Sequence, residues 1–203
     1  MSKSSAMSHP VVHQLPPDYR EAEHLVLLEP GRLLIINLLA LIPVAIAISL
    51  MGAWWVFVLR VRGSIANGFG VDWPWWLWLM LIFLISIPLH EFIHGLAIRR
   101  AGHKPRYGMM LSKGAFYATA DNALFWRDDF IFIALAPLIG ITLLGLLLVY
   151  VLPDTLAYYV GLGVVFNAAN SIGDLWMTAV VCRYPPTTLV RDEADSIRIY
   201  VNT

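Results

Sequence analysis

The sequence predicts an α-helical membrane protein: four transmembrane helices with a small cytoplasmic β-hairpin or sheet element. Three observations predict it. Hydrophobic residues make up 59% of the 203 residues and charged residues only 14%, against about 25% charged in soluble domains. Mean hydropathy is +0.68, more apolar surface than a soluble core of this size can hide. Four apolar stretches each reach the roughly 20 helical residues that a bilayer crossing needs. The same balance excludes an intrinsically disordered chain. With Lys+Arg and Asp+Glu at 14 each, no net basic field exists to neutralise phosphates, so no nucleic-acid partner is expected. A single cysteine, Cys182, excludes an intramolecular disulfide framework.

Met1 to Pro17 reads as a disordered start. The first apolar run begins only near Leu33, behind a mixed polar segment, so no secretory signal peptide is expected. The four spans run from Leu33 to Leu59, Trp73 to Ile98, Phe130 to Leu152 and Leu156 to Cys182. Pro43, Pro88 and Pro137 lie inside them, as membrane helices tolerate when neighbours re-satisfy the backbone. Of the 14 Lys+Arg, 12 fall before span one, between spans two and three, or after span four; only Arg60 and Arg62 lie in the opposite loops. The positive-inside rule places both termini and the middle loop in the cytoplasm of a multi-pass protein of the plasma (inner) membrane. Trp54, Trp55, Trp73, Trp75, Trp76, Trp78, Tyr150, Tyr158 and Tyr159 gather at the outer interface as one side of an aromatic belt. Glu23 to Leu28, Arg106 to Ala120 and Thr187 to Val201 are β-leaning, the middle one a hairpin turning near Ser112-Lys113-Gly114. The chain divides into a cytoplasmic N-terminal segment (1–31), a membrane core (32–184) that includes the hairpin region 103–127, and a cytoplasmic tail (185–203).

The chemistry sits at the end of span two. His90, Glu91 and His94 form H-E-x-x-H. Residues i and i+4 of a helix share a face, so two imidazoles can hold one metal while the glutamate stands beside its open position. Random order would give this pattern about 0.004 times in such a chain. A glutamate at membrane depth is also costly and by default functional. Catalytic zinc normally takes three protein ligands plus water, so a third ligand is needed. Inside the spans the only acids are Glu91 and Asp174. Asn167, Asn170, Ser171, Asp174 and Thr178 make one polar stripe on span four. Asp174 precedes Arg183 by 9 residues and His90 precedes Arg99 by 9, so both lie ~13 Å inside the inner boundary at the helical rise. Asp174 is therefore read as the third ligand. Asn170, Ser171 and Thr178 also suit interhelical hydrogen bonding.

His90-Glu-Phe-Ile-His94-Gly95 at the end of a membrane helix resembles the site-2 proteases, the intramembrane zinc metalloproteases. So do the following Gly114-Ala-Phe-Tyr and the Arg127 to Pro137 run that opens the next span. The closer resemblance is to a small family described as putative zincin peptidases, with a late Ser-x-Gly-Asp, here Ser171-Ile-Gly173-Asp174. Where site-2 proteases carry Asn-x-x-Pro and Asp-Gly, this chain has Asn167-Ala-Ala-Asn170 and Gly173-Asp174. The resemblance implies Zn²⁺ on His90, His94 and Asp174 and Glu91 as the catalytic base, with a membrane-protein or peptide substrate. Asn167 and Asn170 are the candidates to donate to a developing oxyanion. The hairpin edge is a candidate for strand addition by an unwound substrate, or a plain structural hairpin. Pro88, two residues before His90, removes the hydrogen bond to the Leu84 carbonyl and can kink span two to admit water to the metal, or it is ordinary membrane-helix bending. The rival readings are a catalytically inactive membrane protein of the same fold that binds metal or partners, and a transporter; the latter would be expected to show internal repeats and broken midplane helices.

Overall fold

The computed structural model describes residues 10–26, 30–63, 74–110, 115–193 and 196–203. In chain order these form β1 (Tyr19–Val26), α1 (Pro30–Leu39), α2 (Leu41–Arg62), α3 (Trp75–Arg100), β2 (Arg106–Met110), β3 (Ala115–Thr119), β4 (Phe125–Trp126), α4 (Arg127–Val151), α5 (Asp154–Asn170), α6 (Ile172–Val181), β5 (Leu189–Asp192) and β6 (Ser196–Asn202).

Among the described residues, three helices are long and apolar enough to cross a membrane: Leu34–Arg62, Trp75–Arg100 and Arg127–Val151. Their outer faces leave Leu41, Leu84 and Leu143 more than 60% exposed, a surface suited to lipid rather than water. The fourth predicted span is not one straight helix. It is α5 and α6, bent by 43° at their junction. At the break, the Ser171 hydroxyl donates to the Asn167 carbonyl at 2.9 Å, the back-bonding that bends helices. The first span is interrupted as well, at Ala40 between α1 and α2. Pro43 has no N–H for the carbonyl of Leu39, and a proline is tolerated within the first turn of the new helix. Pro88 and Pro137 lie inside α3 and α4 without ending them.

The β-leaning segments pair as two sheets. β2 and β3 are the predicted hairpin, antiparallel with Arg106 opposite Thr119; its turn at 112–114 lies outside the described residues. The two ends of the chain meet in a four-stranded sheet of order β1-β6-β5-β4. The two-residue strand β4 completes it, with a length too short to carry a period in the sequence. Contrary to the predicted disorder, residues 10–17 are held in place. Val12 bridges to Leu124, the indole of Trp126 donates to the Pro10 carbonyl at 2.9 Å, and Val12 and Leu15 pack against Leu124, Leu189 and Tyr200.

The main buried core lies where this sheet meets the helix ends. Leu25, Phe125, Val190, Ile197 and Ile199 pack with Ala97 and Ile98 of α3, Phe130 and Ile133 of α4, and Val180 and Val181 of α6. At the far end of the bundle, aromatic pairs join the helices: Trp78 stacks on Tyr159 at 4.9 Å and Trp55 meets Tyr158 edge-on at 6.2 Å. Trp73 lies outside the described residues. There Arg62 caps the end of α4 through the carbonyls of Leu152 and Tyr150 and pairs with Asp154 at 3.0 Å, a cation placed on a helix C-terminus.

Candidate metal centre

His90 and His94 project one turn apart from the C-terminal half of α3, and Asp174 comes from the first turn of α6 just past the bend. All three are buried. His90 Nε2 lies 3.1 Å from Asp174 Oδ2, His94 Nε2 lies 3.4 Å from Asp174 Oδ1, and the two Nε2 atoms are 3.2 Å apart. The three donor atoms lie within 4.8 Å of one another and could hold a metal ion.

The rest of the network fixes which atoms carry protons. Asn167 Nδ2 meets the Pro137 carbonyl at 3.1 Å; a carbonyl only accepts, so that end of the amide is NH₂. Asn167 Oδ1 then faces His90 Nδ1 at 2.9 Å, and Nδ1 must donate. His94 Nδ1 likewise donates to the Ile133 carbonyl at 2.9 Å. In the neutral imidazoles both Nε2 atoms are left as bare lone pairs, pointed at each other and at a carboxylate. Three acceptors at such distances are not satisfied by one another; a proton on an Nε2 or a metal ion among them resolves the arrangement. Two His and one carboxylate, with both imidazoles held by their far nitrogens, are a donor set suited to zinc.

Proline supplies part of this orientation. Pro137 lacks an N–H, so the carbonyl of Ile133, four residues earlier, has no helical partner. That freed carbonyl is the one His94 uses. The Pro137 carbonyl in turn fixes the Asn167 amide. In the sequence Pro137 stands inside the span that follows the motif, but spacing alone does not show that the Ile133 carbonyl it frees faces His94.

Glu91 is half-buried and points into a cavity of about 140 Å³ that His90, His94, Asp174, Phe116, Tyr117, Ala118 and Asn170 help to line. The backbone N–H of Ala118 in β3 faces its carboxylate. Glu91 therefore stands between the metal donors and the hairpin edge. The two asparagines are placed differently. Asn170 lines the cavity. Asn167 is fully buried, with its amide oxygen on His90 Nδ1 and an N–H on the Pro137 carbonyl, and it is not among the residues that line the cavity. Ser171 supports it from below through the Asn167 carbonyl, and Thr178 is not among the cavity-lining residues.

The hairpin is seated on the motif itself. A Cβ at Gly95 would overlap the Tyr107 phenol, and one at Gly108 would overlap the Tyr117 ring. Glycine at 95 thus lets β2 approach α3 closely, and glycine at 108 lets Tyr117 cross its partner strand toward the cavity.

A helix-borne H-E-x-x-H completed by a carboxylate from a second helix, with an open cavity on the glutamate side, defines a zincin-type centre. The chain belongs to the family described as putative zincin peptidase, whose sequence model matches residues 83–189. That range holds His90, Glu91, His94, the hairpin, Pro137, Asn167 and Asp174. Comparison with curated proteins and with solved structures gives no match.

Proposed function

We propose that the protein is an intramembrane zinc metalloprotease that cleaves membrane-anchored substrates near the cytoplasmic face. The observation that carries this reading is the convergence of His90 Nε2, His94 Nε2 and the Asp174 carboxylate beside Glu91, at the wall of an open cavity. A passive metal site needs no carboxylate there. Zinc bound by His90, His94 and Asp174 would polarise a carbonyl and acidify a water.

In this reading Glu91 takes a proton from the attacking water and hands it to the leaving amine. The Ala118 N–H faces the carboxylate and favours one orientation of it for both transfers. Asn170 is the side-chain amide on the cavity wall available to a developing oxyanion. A helical substrate has to unwind before its amides can react, and its backbone then needs new partners. β3 offers them. Alternate residues of an antiparallel strand turn their polar groups away from the partner strand. Ala118 turns its N–H toward Glu91, so Phe116 offers its N–H and C=O on the same edge, across the cavity mouth.

The membrane placement rests on the exposed apolar helix faces and on the basic bias. With α1–α2 as one span and α5–α6 as another, the helices make four crossings. Both termini, the hairpin and the four-stranded sheet then face the cytoplasm, and the metal centre sits toward that side. The test is proteolysis of a membrane-anchored model substrate by purified, zinc-loaded protein. Glu91→Gln is predicted to keep zinc and lose about 10²–10⁴ in rate, the worth of a positioned general base. Equal cleavage by the wild type and by Glu91→Gln would refute the assignment. Absence of cleavage by the wild type would leave a binding protein of the same fold.

A further inference from the structure

The hairpin and the four-stranded sheet enclose a second cavity, polar and about 260 Å³ in volume. Tyr117 and Asp192 line it and also line the metal-site cavity, so the two are neighbours sharing a wall. The Thr119 hydroxyl donates to the Asp192 carbonyl at 3.1 Å and ties the end of β3 to β5 beside that wall. A peptide laid along β3 past Ala118 runs toward it.

The charges lining this second cavity are unevenly satisfied. Arg106 pairs with Asp121 at 2.7 Å. Glu193 pairs with Arg198 at 2.9 Å, and Arg198 also holds Glu21 at 3.0 Å. Asp192 sits on the shared wall. Arg191 is the exception: among the described residues no carboxylate pairs with it, and its Nε is buried without an acceptor. Its guanidinium lies 5.7 Å from the Tyr200 ring centroid, which orients the plane without neutralising the charge. Arg191 also stands directly opposite Arg198 across β5 and β6, a like-charge pairing that costs stability. The sheet thus places two arginines side by side, neutralises one with two glutamates and leaves the other, which helps to line the second cavity, without a carboxylate among the described residues.

We propose that this second cavity is a side-chain subsite in which Arg191 receives an acidic side chain of the substrate. The proposal rests on the peptidase reading and adds a substrate preference: Asp or Glu at one fixed position relative to the bond that Glu91 attacks. Arginine suits a carboxylate because its planar fork can donate twice.

The test separates binding from turnover. Zinc-loaded Glu91→Gln protein in detergent is titrated with dye-labelled, extended Val/Thr decapeptides that carry Asp or Asn at each central position in turn, read by fluorescence anisotropy. At one position the Asp peptide is predicted to bind about tenfold tighter than its Asn twin, the worth of a charge-assisted hydrogen bond. Adding Arg191→Gln should make the two bind alike. Arg191→Lys should keep a reduced preference, and Arg191→Glu should turn it toward Lys. Circular dichroism and zinc content verify the fold of each variant. Equal binding of the Asp and Asn peptides at every position, no binding of either, or a preference that survives Arg191→Gln would overturn the subsite. A preference that follows a free C-terminus and vanishes on amidation would overturn the side-chain assignment. The same peptides offered to the wild type test turnover separately: preference without cleavage refutes the peptidase reading and leaves the anion site standing.

Discussion

Gly95 closes the H-E-x-x-H-G run, and its missing side chain lets the hairpin reach the helix. The phenol of Tyr107 occupies the space of a Cβ at that position. A methyl group there pushes β2 outward and takes the Ala118 N–H away from Glu91. Gly95→Ala is therefore predicted to retain full zinc, since no ligand is touched, and to lose about 10²-fold in cleavage rate, the cost of a misplacement near 1 Å. Adding Tyr107→Ala makes room for the methyl and should recover part of the loss; a double variant no better than Gly95→Ala would contradict the contact. At this scale the sequence was informative where chemistry is periodic. His90 and His94 share a face by spacing alone, and the matched depths of His90 and Asp174 pointed to their meeting. The role of Asn167 was not legible, because a polar stripe on a helix does not say which residue turns toward the cavity and which toward a neighbouring ring.

Among the elements, α4 shows how a helix defect can serve a site on another helix. Pro137 frees the Ile133 carbonyl, and His94 takes it. Pro137→Ala restores an N–H that competes for this oxygen along the helix axis. Two effects of opposite sign are predicted. The zinc-free protein gains thermal stability, by up to about 3 kcal/mol on helix propensity, while zinc affinity falls about 10- to 100-fold, as for other losses of a ligand's supporting hydrogen bond. Asn167→Ala should weaken zinc similarly but lower stability, because it leaves the His90 Nδ1–H buried and unpaired. Calorimetry with a competing chelator measures both quantities; unchanged zinc affinity in both variants would refute the orienting network. Helix positions were legible from apolar runs of membrane length. The breaks at Ala40 and Ser171 were not, since hydropathy is blind to a freed carbonyl or a back-bonding serine.

For the whole molecule, the sheet is the part the sequence concealed most. Its paired strands β1 and β6 lie at opposite ends of the chain, from Tyr19 and to Asn202, and local β-propensity does not reveal a partner so far away. The basic residues nonetheless lean to the sheet end, and the proposed orientation follows from them. In a Cys182→Ala background, a membrane-impermeant thiol reagent added outside intact cells is predicted to label Thr155→Cys and spare Lys104→Cys. The reverse pattern would place the metal centre near the outer leaflet and move the proposed cleavage to the other face.

The central claim is that His90, His94 and Asp174 hold a zinc ion for Glu91 to work beside. Its most direct test is zinc content with X-ray absorption at the zinc edge, on purified wild-type protein and Asp174→Asn. The wild type is predicted to carry one zinc per chain, with two imidazole nitrogens and a carboxylate oxygen near 2.0–2.2 Å. Asp174→Asn should lose the carboxylate signal and most of the metal. A wild type without zinc, or an Asp174→Asn protein with the same zinc content and the same coordination shell, would contradict the assignment.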